Sequence, residues 1–147
     1  MEPIQGLKIR SMTDRDFEAI DDVDKRITGR AWAGRVAERA STHFWGYHPD
    51  LCFVAEIDGR VIGFVIGNMG GPKFSLPVSG WVNTLGIDPD YQGKGIGLAL
   101  MKAFVDVCQT NRIPARFIVP PNKQFEKMLV ELGFEQGPLV DWVRKSN

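Results

Sequence analysis

The chain has no excess of either charge: 18 Lys and Arg balance 18 Asp and Glu over 147 residues. No global field therefore draws it to nucleic acid or to an anionic membrane surface. Cysteine is scarce. Cys52 and Cys108 each sit in an apolar run, make no metal-ligand or redox spacing, and read as small core residues. No apolar run approaches the roughly 20 residues needed to span a bilayer, and the opening Met-Glu-Pro-Ile is no secretory leader. A cytoplasmic location is expected. Repeats, low-complexity tracts and linkers are missing as well, so a single domain over residues 1–147 is expected.

What is present centres on residues 80–102, GWVNTLGIDPDYQGKGIGLALMK. Residues 81–87 alternate large apolar with smaller or polar side chains, a strand signal. Asp88-Pro89-Asp90 is turn chemistry, because proline fixes φ and disfavours helix before itself. Gln92-Gly93-Lys94-Gly95-Ile96-Gly97 then runs into Leu98, Leu100, Met101, Phe104, Val105 and Cys108, an apolar stripe at helical spacing. Strand, glycine-rich loop and helix together offer unpaired N–H groups to an anion. The first helical turn leaves about four donors free, with a partial positive charge. Glycine admits a phosphate close to the backbone, and Lys94 adds a cation. The pattern is a diphosphate cradle. A Walker loop requires G-x-x-x-x-G-K-[ST], which does not occur. A dinucleotide fingerprint requires G-x-G-x-x-G close behind its strand, whereas this loop reads G-x-G-x-G after an Asp-Pro turn.

Along the rest of the chain, residues 7–12 alternate as a first strand, and Thr13 with Asp16 opens a helix carrying Phe17, Ile20, Val23, Asp24 and Ile27. Thr28-Gly29 stops it. A second helix is expected over 33–44, followed by the aromatic, His-bearing loop HFWGYHP at 43–49. Residues 51–57 and 60–66 form two strands joined at Asp58-Gly59, a hairpin signal. Residues 67–77, rich in Gly and Pro, read as a long irregular connection. After the central helix, which ends near 109–112, come a short strand at 115–119 and a helix capped by Asn122 and stopped by Gly133. Residues 134–135 and 139–143 read as final strands. The order β-α-α-β-β-β-α-β-α-β-β predicts an α/β fold, a mixed sheet with helices on both faces. Lys25, Arg26, Arg30, Arg35 and Arg39 gather in the first third and read as a solvated helical face. Attraction for an anionic acceptor or for cofactor phosphates is the alternative.

Gln92, Gly95 and Gly97 in a Q-x-x-G-x-G run, behind a strand and an Asp-Pro turn, resemble the acetyl-CoA loop of the GCN5-related N-acetyltransferases (GNAT). Asn122, Gly133 and Phe134 are similar to that family's N…LGF segment, and the order of elements is similar from end to end. The resemblance implies a central, mostly antiparallel sheet flanked by helices, and direct acetyl transfer from acetyl-CoA, as cosubstrate, to an amine acceptor. It implies that the strand before the loop splays from its neighbour. The main chain of Leu85, Gly86 and Ile87 would then pair with the pantetheine arm and polarise the thioester carbonyl. Gln92, Gly93, Lys94, Gly95, Ile96 and Gly97 would hold the diphosphate. Asn122 would contact the cofactor, although helix capping explains it equally well.

The sequence also departs from that family. The position of its acidic Tyr is Leu129, which has no proton to give. Its strand Glu falls near Trp81, and no carboxylate lies between Gly80 and Ile87. Tyr91, His43, His48 and Asn83 are the substitute catalytic candidates, with Tyr47 beside the histidines. A neutral His titrating near roughly pH 6.5 suits a base. The plainer reading packs Tyr91 beneath the loop and leaves the histidines as surface hydrogen-bonding groups. Asp21, Asp24 and Glu38 read as surface charge, and Trp32, Trp45 and Trp81 as core or rim packing. No metal is expected. The expected partners are acetyl-CoA and an amine, with neither nucleic acid nor membrane, and a homodimer is compatible with this. Two other classes stay open: a module that binds acyl-CoA without turnover, and a domain whose loop holds another nucleotide's diphosphate.

Overall fold

Five strands share one sheet in the order β1-β2-β3-β4-β5 in the computed structural model, which describes residues 4–29, 48–72 and 74–146. β1 (Leu7–Ser11), β2 (Phe53–Ile57), β3 (Arg60–Gly70) and β4 (Ser79–Ile87) pair antiparallel in turn. β2 and β3 are joined by Asp58 and Gly59, both at positive φ (51° and 80°), the geometry of a two-residue hairpin turn whose twist matches its strands. β5 (Ala115–Phe117) is parallel to β4. A parallel pair needs a crossover, and α2 (Ile96–Thr110) supplies it. α1 (Phe17–Thr28) follows β1, and α3 (Lys123–Glu131) follows β5.

The helices α1 and α2 cover opposite faces. A Cβ on Gly63 would lie 3.3 Å from Leu100 of α2, whereas the next residue, Phe64, packs with Ile20 and Val23 of α1. Successive strand residues point to opposite faces, so one core lies beneath each helix. The mixed α/β architecture is the one expected.

Short-range signals hold where they are local. The Asp16 carboxylate accepts the Thr13 N–H at 2.8 Å and both terminal nitrogens of Arg10 at 2.8 and 2.7 Å. Hydrogen bonding from Arg10 lowers the Asp16 pKa below its ordinary value, against the opposing effect of burial. Asn122 caps α3 by accepting from Gln124 N and Phe125 N at 2.9 and 3.2 Å.

Five expectations change. β3 runs on to Gly70, four residues into the stretch 67–77 expected to be irregular. Its glycines serve close packing there: a Cβ on Gly67 would stand 2.4 Å from the Phe104 ring of α2. Residues 132–146 form neither helix nor strand, so the two final strands are absent. Their β-branched and aromatic residues have the propensity, but pairing needs an edge that lies against them. Val140, Trp142 and Val143 are exposed instead. β2 starts at Phe53 rather than residue 51, because Pro49–Leu51 turn as a 3-10 segment, and β5 stops at Phe117. Asp24 is buried on the inner side of α1 and is no surface charge. The helix expected at 33–44 lies outside the described residues. Among the described residues, no helix is long and apolar enough to cross a membrane.

Candidate active site

The site begins where β4 loses a neighbour. β5 pairs with β4 through Gly80, Trp81 and Val82 only, so beyond Val82 no strand lies along that edge among the described residues. The break coincides with a bulge: Ile66 faces Thr84 and Gly67 faces Val82, leaving Asn83 as the extra residue on β4. Asp88 N–H donates to Ile62 O at 2.8 Å. Hydrogen-bonded pairs alternate in an antiparallel ladder, so Gly86 and Thr84 also turn their main chain toward β3. Leu85 and Ile87 turn theirs to the open edge. The ladder thus divides the three strand residues singled out above. Gly86 has a packing reason of its own, since a Cβ there would lie 2.6 Å from the Phe64 ring and 3.1 Å from Ile27.

The strand then enters a turn organised by Asp88, whose residue exposure is 0%. Its Oδ1 accepts the Asp90 N–H at 2.9 Å, and its carbonyl accepts the Tyr91 N–H at 2.8 Å. Its Oδ2 is met by Nη1 of Arg26, from the last turn of α1, and by Nη2 of Arg60 at 3.6 Å. Arg26 Nη2 also reaches Asp90 Oδ2 at 2.8 Å. Its hydrogen bond to Asp90, with the nearby charge of Asp88, raises the pKa of this guanidinium. A buried carboxylate with these partners is a feature the sequence reading passed over. Asp88 read as turn chemistry and Arg26 as a solvated face, and 62 residues separate them.

Gly93 and Gly95 follow at φ 78° and 80°, the left-handed region that L side chains rarely enter. Nothing lies within 4 Å of a Cβ built on Gly93, so the loop is open on that side. Gly95 caps α2, and Ala99 N–H is bonded to its carbonyl at 3.1 Å. The N–H groups of Ile96, Gly97 and Leu98 therefore precede the intrahelical ladder. A Cβ on Gly97 would stand 3.7 Å from Met128 Sδ of α3. Lys94 Nζ lies 5.4 Å from the centroid of the Tyr91 ring. Gln92 Nε2 donates to Ile87 O at 3.1 Å, tying the loop back to the strand. An open strand edge, a glycine loop and a helix N-terminus stand in succession. These residues fit an extended amide-bearing arm ending in a diphosphate.

The catalytic candidates scatter. Asn83, half-buried at the bulge, stands at the mouth of the split between β4 and β5. Tyr91 packs against the α2-side core beneath the loop. His48 donates its N–H to Gly67 O at 3.0 Å, beside β3 on the β2 side. Its backbone is thus two strand spacings, roughly 10 Å, from β4. Its Nδ1 is buried without a hydrogen-bond partner. His43 and Tyr47 lie outside the described residues, as do Trp32, Trp45, Glu38, Arg30, Arg35 and Arg39. Asn122 is exposed, its side-chain oxygen engaged in the cap. Leu129 is half-buried against the α2-side core, and Trp81 is buried with the Arg116 guanidinium 5.8 Å from its ring. Burial pushes the thiols of Cys52 and Cys108 up to about 11, so neither is a thiolate nucleophile near neutral pH. Among the described residues, no group of three or more His, Cys, Asp or Glu could hold a metal ion.

The sequence and the fold have known counterparts. An uncharacterised N-acetyltransferase of Methanocaldococcus jannaschii is 30% identical over 94 residues, covering 64% of this chain and 54% of that protein. An acetyltransferase of Sodalis glossinidius is 40% identical over 98 residues, 65% of this chain and 62% of that one. The chain therefore spans about half to three-fifths of these curated relatives' length. An aminoglycoside N-acetyltransferase solved in complex with CoA superposes with a TM-score of 0.73 at 19% identity, over 95% of this chain and 94% of its own. The ribosomal-protein-S18-alanine N-acetyltransferase of Escherichia coli gives 0.70 at 19% identity, over 90% and 79%. Both share the fold. The family model for GNAT acetyltransferases matches residues 15–134. The chain belongs to the GNAT acetyltransferase family, a family whose cosubstrate is acetyl-CoA.

Proposed function

We propose that this protein transfers an acetyl group from acetyl-CoA directly to an amine. The observation that carries the reading is the junction at which the open edge of β4 runs straight into the glycine loop and the start of α2. The diphosphate would sit on the N–H groups of residues 93–98, beside Lys94. The pantetheine arm would run antiparallel or parallel to β4 as an added strand, using the main chain of Leu85 and Ile87. A main-chain donor at that edge would polarise the thioester carbonyl and stabilise the tetrahedral oxyanion. The amine nitrogen then bonds to the acetyl carbon, the carbon–sulfur bond breaks, and the amine's proton passes through water to solvent or to the departing thiolate. Orientation does most of the work in such a site, because a thioester is already reactive. Asn83, at the mouth of the split, is suited to hold the relay water. Tyr91, under the loop beside Lys94, is suited to protonate the thiolate.

Calorimetric titration with acetyl-CoA, CoA, NAD and ATP tests this reading. Saturable binding of acetyl-CoA and CoA alone, lost in a folded Gly95→Glu variant, is expected. A response to NAD or ATP without one to CoA overturns it. Leu129 in the Tyr position favours a second reading, an acyl-CoA-binding module without turnover. Intact CoA binding with no thiol release across a broad amine panel selects that reading.

A further inference from the structure

We propose that Arg26 of α1 is a positioning residue for the cofactor loop, holding and neutralising the two carboxylates on which that loop is mounted. This rests on the reading of residues 92–97 as the diphosphate cradle. Asp88 and Asp90 stand only a few residues ahead of Gly93 and Gly95, so the loop built to receive an anion is rooted on two negative charges. Uncompensated, they would oppose the diphosphate across a short distance. Arg26 spans both, Nη1 on Asp88 and Nη2 on Asp90 at 2.8 Å. Arg60 adds a second, looser cation to Asp88 at 3.6 Å.

The contact also fixes shape. Asp88 holds the turn from both sides of its own chain, by Oδ1 to the Asp90 N–H and by its carbonyl to the Tyr91 N–H. Its N–H is bonded into β3 at Ile62. A guanidinium can serve two carboxylates at once through its planar fork, which an ammonium cannot reproduce. Because Asp88 is fully buried while Arg26 reaches it from the partly open side, the pair also anchors the end of α1 to the loop. Arg26, Arg60 and Asp88 line one cleft of about 360 Å³, and no diphosphate donor of the loop lines it. Arg26 thus acts on the ligand through Asp88 and Asp90 and not by touching phosphate.

Three measurements test this on the full chain. In the free protein, Arg26→Ala should accelerate amide hydrogen exchange in residues 88–95 while leaving the β1–β3 strands unchanged. CoA affinity in the same variant should fall by about tenfold, as expected for loss of a close charge pair. The rate with S-acetylpantetheine, a donor lacking the diphosphate, should stay at the wild-type level. Adding Asp90→Asn to Arg26→Ala should recover part of the CoA affinity, because the remaining repulsion is reduced. Unaltered exchange at 88–95 overturns the proposal, as does an equal loss with both donors or a failure of Asp90→Asn to recover affinity. A wild-type protein that binds no CoA would refute the acetyltransferase reading. The exchange measurement would still decide whether Arg26 orders the loop.

Discussion

β4 is two strands in one. Its first half, residues 79–82, is buried and bonded on both edges, with Gly80 N–H donating to Pro114 O at 2.9 Å on the β5 side. Its second half, residues 83–87, has β3 alone beside it and is half-buried at all but Gly86. Buried main-chain groups must find partners, so the first half contributes stability. The second turns the main chain of Leu85 and Ile87 to an edge with no strand beside it among the described residues, where the proposed cofactor arm would pair. On the proposed reading, stability and binding are carried by different stretches of one strand, and each can be disturbed without the other.

The largest expected effect is at the closed end. Gly67→Ala places a methyl 2.4 Å from Phe104 and 3.0 Å from the carbonyls of Leu51 and Trp81. It should cost about 3 kcal/mol of unfolding free energy by overpacking, read from urea melts. CoA affinity of the folded fraction should not change. Gly95→Glu should abolish CoA affinity while costing only about 1–2 kcal/mol of stability, the strain of a side chain at positive φ. The comparison breaks if Gly67→Ala weakens binding or if Gly95→Glu costs as much stability as Gly67→Ala. A smaller effect is expected at Leu129, which is half-buried between the two regimes. Leu129→Ala should cost about 1–2 kcal/mol, below the ~2–5 of a fully enclosed leucine. A loss at the upper figure would mean that α3 belongs to the closed core.

The smallest effect lies farthest from the split, at Asp16. Hydrogen bonding from Arg10 keeps its folded pKa below the reference 3.8. The contribution is therefore present above about pH 4 and is lost as pH falls through the lower, folded value. Asp16→Asn should lower stability by about 1 kcal/mol at pH 7, and the gap from wild type should close in strongly acidic solution. A gap independent of pH would refute the ionic account.

What was legible in the sequence was local. Asp58-Gly59, the Asn122 cap, the Asp-Pro turn and the glycine loop each state their geometry within about five residues, because turn and cap chemistry is short-ranged. What escaped was pairing at a distance. Gly67 looks like a breaker until Phe104, 37 positions on, is seen to need its missing side chain. Arg26 looks solvated until Asp88 is brought to it. Residues 139–143 have the composition of a strand and lack the partner that would make them one. Among the catalytic candidates, Asn83 falls at the split, while His48, equally polar and also in a run of apolar neighbours, falls across β3. Nothing in its immediate neighbours distinguishes the two.

The extra residue at Asn83 has an arithmetic consequence. Before it, the even positions face the β5 side, as Gly80 does with Pro114. After it the odd ones do, as Ile87 does with Gln92. The side chains obey the same change of parity, since Val82 belongs to the α2 core and so do Leu85 and Ile87, an odd step away. One inserted residue works like a frameshift in the strand. Straightening the strand with all its residues kept would present an incoming chain with the other set of amides and turn Leu85 and Ile87 from the α2 core toward the α1 face, whereas deleting Asn83 would leave both in place.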